Sequence, residues 1–134
     1  MSIAIRPIPA VPPPSEAIDV VDVVGVGVFS DRLAAGDFPP EVDGGFLSVQ
    51  GFTGEAGSSC ALPGRDGRVA MVLGLGPRDD VGVPTYRRAA AALAWGARRR
   101  SHLAVDLLGE VPERLPRAAV VQAIVEGVLL GSYR

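Results

Sequence analysis

A chain of 134 residues, 48% hydrophobic and 21% charged, is sized for one domain with a buried core and leaves no room for two. Its formal net charge of -2 lacks the basic footprint of a general nucleic-acid-binding module. All 13 basic residues are Arg, Lys and Asn are absent, and there is one His and one Cys, which excludes a Lys Schiff base, a P-loop Lys, a Cys/His structural zinc site and an internal disulfide.

Residues 1–16 carry Pro7, Pro9, Pro12, Pro13 and Pro14 and read as an extended, polyproline-like arm. The prolines break the apolar run that a signal peptide needs, and no stretch reaches the length of a membrane span, so the expected compartment is the cytoplasm. The ordered domain is expected over 17–134.

Ala17 to Phe29 is Val-rich and predicts a strand. Gly25 and Gly27, two apart, share one face, where something packs closely. Asp31 is placed to cap a short turn. From Glu41 to Val49 two glycines disfavour an isolated helix, and the segment reads as a short helix held by tertiary packing, with Val42, Phe46 and Val49 on one side.

Gly51 to Gly57 is a glycine-punctuated loop. Strands at Ser58–Leu62 and Arg68–Leu75, separated by the turn Pro63 to Gly67, predict a hairpin. The continuous apolar run Val69 to Leu73 belongs to a strand covered on both faces. Pro84 opens a helix to about Arg99, with Tyr86, Ala90, Leu93, Ala94 and Ala97 at helical spacing, and Arg98, Arg99 and Arg100 complement its C-terminal dipole.

Ser101 to Leu108 predicts a strand with Leu103, Val105 and Leu107 on one face and His102, Ala104 and Asp106 on the other. Pro116 starts a last helix to about Leu130 whose polar positions are only Arg117, Gln122 and Glu126. A helix apolar around most of its circumference needs cover on more than one side, so part of that cover is expected from another domain or subunit. The alternation of strands and helices predicts an α/β fold, a mixed sheet between two helical layers.

No side-chain constellation supports catalysis, and no residue is assigned a catalytic or metal-binding role. Gly74-Leu75-Gly76 leaves a buried strand as phosphate-binding turns do, but a dinucleotide fingerprint needs a glycine where Asp79 stands, and a tight strand exit is the better reading. Asp106 is two pleats from His102, too far along one strand to orient it as a base. Cys60 lacks flanking positive charge and reads as an ordinary thiol. Asp79-Asp80 lacks a third metal ligand, Ser58-Ser59 lacks the nucleophile elbow, and Arg98 to Arg100 has no interleaved aromatic residues.

The order of landmarks is informative. The Val-rich strand leads to Asp43-Gly44-Gly45, then to Phe52-Thr53-Gly54-Glu55-Ala56-Gly57. Val69 to Gly76 ends in G-L-G, Tyr86-Arg87-Arg88-Ala89-Ala90-Ala91 opens a helix, and Glu126-Gly127-Val128-Leu129-Leu130-Gly131-Ser132-Tyr133 closes the series. Over 17–134 this series resembles the N-terminal domain of the leucyl aminopeptidase (cytosol aminopeptidase) family.

The resemblance implies a macro-domain-like fold and a C-terminal catalytic domain that is absent from this chain. In the family that domain holds two divalent metals, manganese or zinc, and removes N-terminal residues from peptides. Its N-T-D-A-E-G-R signature and its lysines have no counterpart here, so no catalytic or metal residue carries over. The implied partners are that domain and further copies of the parent, a hexamer, with no membrane. Some members bind DNA, against which the acidic balance argues. Macro-like folds also bind ADP-ribose or related nucleotides, and under that alternative the candidate loop is Gly74, Gly76 and Arg78.

Overall fold

A computed structural model describes residues 23–40, 42–64, 68–99, 102–108 and 111–132. The arm expected at 1–16, the beginning of the first predicted strand (17–22), Glu41, the turn residues 65–67, Arg100 and Ser101, Gly109 and Glu110, and Tyr133 and Arg134 lie outside them.

The elements are β1 (Val23–Val28), α1 (Ser30–Ala34), α2 (Gly44–Val49), β2 (Ser59–Pro63), β3 (Val69–Gly74), a 3-10 turn (Arg78–Asp80), α3 (Val83–Gly96), β4 (Leu103–Asp106) and α4 (Arg117–Ser132). The strands form one mixed sheet in the order β2-β3-β1-β4. β1 runs parallel to β3 and β4, with Val26 opposite both Val72 and Asp106. β2 and β3 form the expected antiparallel hairpin, Cys60 opposite Val72.

Strand alternation sends two sets of side chains to opposite faces. Val23, Met71, Leu73, Leu103, Val105 and Leu107 join one core with Tyr86, Ala90 and Leu93 of α3 and Val120, Ile124 and Val128 of α4. Val26, Val28, Leu62, Ala70 and Val72 form the other, closed by Val42 and Leu47 and flanked by Leu33, Phe38 and Phe52. The result is a three-layer α/β fold with a mixed sheet between helices. β3, paired on both edges and covered on both faces, is the buried apolar run the sequence predicts.

Gly25 and Gly27 do share a face, and neighbours pack closely there: a methyl at Gly25 would strike Leu93, and one at Gly27 would lie 2.9 Å from Leu75 and from Leu107. β2 is an edge strand closed by Pro63, which has no N–H to offer a neighbour.

Three local expectations need correction. Asp31 does not cap its own helix: Phe29 occupies the cap position of α1, and the Asp31 carboxylate instead accepts the Arg78 backbone N–H, which opens the distant 3-10 turn, at 3.0 Å. α2 buries Leu47, not Phe46 and Val49, which are 52% and 84% exposed. The Asp43 side chain accepts from Gly45 N at 2.8 Å, so the helix begins at Gly44 and Val42 lies outside its register; Leu47 packs into the core with Val42, Val26 and Val72, which turns Phe46 and Val49 outward. α3 ends at Gly96 rather than Arg99. Arg98 turns back, donating to the Trp95 carbonyl at 2.8 Å and stacking over the Trp95 ring at 4.0 Å, which satisfies a C-terminal carbonyl of the helix.

α3 and α4 run side by side in the same direction and make the most extensive contact between elements. Gly127 meets the Arg87 carbonyl and the Ala90 methyl; one turn on, Gly131 meets the Ala91 carbonyl and the Ala94 methyl. Spacing of four puts both glycines on one helix face. At the rim Arg87 pairs with Glu126 at 3.2 Å, an exposed bridge of small energetic weight. Gly127→Val therefore drives a branched side chain into a backbone carbonyl. Thermal denaturation followed by circular dichroism should show a loss of ~2–3 kcal/mol and a Tm fall of roughly 10 °C, whereas the exposed Gln122→Ala should stay within ~0.5 kcal/mol.

Candidate functional site

Helices following β1 cover one face of the sheet and the helix following β3 covers the other. Open α/β sheets bind ligands in a crevice at the carboxyl ends of two such parallel strands. Here it is bounded by Phe29 and Ser30 after β1 and by Leu75 to Arg78 after β3, which brings the candidate loop Gly74, Gly76 and Arg78 to the expected place.

The chain's own loop fills this crevice. Gly74 N donates to Ser58 O at 2.8 Å, Leu75 N to Val28 O at 2.9 Å and Gly76 N to Gly54 O at 2.9 Å. Ser30 N donates to Gly76 O at 3.0 Å, so β1 is tied into the same junction. Gly54 and Gly76 have φ of 83° and 74°, the left-handed region that glycine adopts without strain. A methyl at Gly74 would strike the Glu55 carbonyl and the Ser58 hydroxyl. A phosphate cradle needs free, convergent N–H groups, and all three in this turn are already donated within the chain. Arg78 is held as firmly: its guanidinium lies 5.4 Å over the Phe29 ring, its N–H goes to Asp31, and its carbonyl accepts from Arg114 at 2.8 Å. Gly74, Gly76 and Arg78 thus form a clasp joining β1, β3 and the 54–58 loop.

The remaining polar candidates do not converge. His102 precedes β4 and Asp106 ends it, with Leu103 to Val105 between them. Asp79 and Asp80 are exposed in the 3-10 turn. Among the described residues no three His, Cys, Asp or Glu side chains gather around a possible ion. The described side chains do not fit a two-metal centre, which the family resemblance places in a C-terminal domain. Cys60 is half-buried on β2, and burial pushes its thiol above the usual range.

What the surface does present is apolar. Val121, Val125 and Leu129 recur every fourth residue on α4 and, with Leu130, are 39–57% exposed. This is the uncovered side of the helix that the sequence shows to be apolar nearly all round. Phe46 and Val49 on α2 form a second exposed pair, on the side of the helix opposite to the one the sequence predicts to be covered. Among the described residues no helix is long and apolar enough to cross a membrane.

The sequence model of the family described as "Cytosol aminopeptidase family, N-terminal domain" matches residues 46–134. The chain belongs to the cytosol aminopeptidase family. It is 32% identical over 123 residues to the "Probable cytosol aminopeptidase" of Nostoc punctiforme, covering 84% of this chain and 25% of that protein. The protein of the same name from Aquifex aeolicus is 32% identical over 92 residues, covering 64% of this chain and 18% of that protein. Two solved structures of the bottromycin maturation enzyme BotP, one in complex with Mn, superpose with TM-scores of 0.71 and 0.69 at 31% identity, over 85% of this chain and 23% and 24% of theirs. The chain therefore spans a quarter or less of the length of these relatives.

Two measurements check the site. Calorimetric titration with ADP-ribose should give only heat of dilution into the high micromolar range, since the crevice donors are taken. Alkylation of Cys60 by iodoacetamide should be slow at neutral pH and climb steadily into the alkaline range, because a raised thiol yields thiolate only there; a plateau near neutrality would contradict its burial.

Proposed function

We propose that this chain is the non-catalytic N-terminal domain, over 17–134, of a two-metal aminopeptidase-like protein that releases N-terminal residues from peptides. Its role is to aid oligomer assembly and access to an active site carried by a C-terminal catalytic domain. The observation that carries this reading is the family match over 46–134 in a chain that has no Lys and no Asn at all. The family resemblance assigns the catalytic signature and the metal ligands, for manganese or zinc, to residue types and a domain this chain does not supply. The relatives, of which this chain covers 25% and 18%, have room for that domain. The parent is expected to be a cytoplasmic homo-oligomer, a hexamer by family resemblance.

The purified 134-residue chain, supplied with manganese or zinc, should show no turnover of a leucine anilide above the buffer blank. Activity that co-elutes with the chain through successive columns overturns the reading. So does a gene whose reading frame stops at Arg134, since no catalytic domain then follows.

A further inference from the structure

The exposed stripe on α4 has the size of one kind of contact and not of another. Val121, Val125, Leu129 and Leu130 are 40%, 39%, 49% and 57% exposed. Even granted the ~200 Å² of a whole aromatic side chain each, four side chains so exposed offer at most ~400 Å². A stable dimer of free subunits needs ~800 Å² from each partner, about 500 Å² of it apolar. Contacts between domains of one chain bury about 300–750 Å² per side, roughly 170–430 Å² of it apolar, because a tether holds the partner at roughly millimolar effective concentration.

Position points the same way. The matched family segment is N-terminal by description, so the remainder of a longer member follows α4. Exposure is greatest at Leu129 and Leu130, in the last turns of that helix. The only charged side chain among these turns, Glu126, is drawn aside to Arg87 and leaves the stripe apolar.

We infer that the α4 stripe Val121–Val125–Leu129–Leu130 is the seat of the tethered C-terminal domain of the same polypeptide, and not a surface for a second copy of this domain. This rests on the proposal that the chain is part of a longer aminopeptidase-like protein.

The test is thiol accessibility. In a Cys60→Ala background, Val125→Cys on the stripe and Ser48→Cys on the far layer are labelled with a maleimide in two proteins, the 134-residue chain and the longer gene product. In the short chain both cysteines should label freely, at rates independent of concentration from 5 to 200 μM. In the longer protein the rate at position 125 should fall at least ten-fold while that at 48 falls less. An unchanged rate at 125 in a longer protein that cleaves a leucine anilide overturns this inference and leaves the proposed function standing. Concentration-dependent protection at 125 in the short chain assigns the stripe to a second copy and also overturns it.

Discussion

The close approach of α4 to α3 governs the rest of the molecule. With Gly127 and Gly131 set against the Arg87 and Ala91 carbonyls, the two helices meet backbone to backbone, nearer than any side chain permits. That contact fixes the rotation of α4 about its own axis. Val120, Ile124 and Val128 are turned into the core, and Val121, Val125 and Leu129 are turned out. α4 itself rests mainly on α3 rather than on the sheet, so its exposed side is a consequence of helix–helix packing and not of a poorly filled interior.

A second constraint lies where β1 and β3 leave the sheet. The sheet has the strand arrangement that creates a crevice at the ends of β1 and β3, and the Gly54 to Ser58 loop occupies it through backbone hydrogen bonds. A fold supplies a place for a site but not the site itself. Here the same backbone groups that elsewhere meet a ligand hold the loop. The conversion needs no special side chain, only glycines where the loop and the strand exit press together.

These two constraints explain which parts of the structure were legible in the sequence. The buried run of β3, the β2–β3 hairpin and the all-round apolarity of α4 follow from periodicity and composition, and all are present. The glycine motifs behind the family resemblance are the residues that build the clasp and the α3–α4 contact: Gly54, Gly74 and Gly76 in one, Gly127 and Gly131 in the other. Their order was visible, but their meeting points were not. Asp31 finds its partner 47 residues away, in Arg78, which no local pattern shows. The face that α2 buries is not legible locally, because it is set by Leu47 reaching the core of Val26, Val42 and Val72, a tertiary contact.

Pro63 carries one more implication. The hydrogen bonds from Gly74 to Ser58 and from Gly64 to Arg68 show that the even-numbered residues of β2 face β3, so the backbone groups of Ser59, Ala61 and Pro63 are directed away from the sheet. A foreign strand laid along that margin would find a rung missing at the imide nitrogen of Pro63. The sheet is thereby discouraged from growing sideways into a fibre, a useful safeguard in a polypeptide this rich in valine.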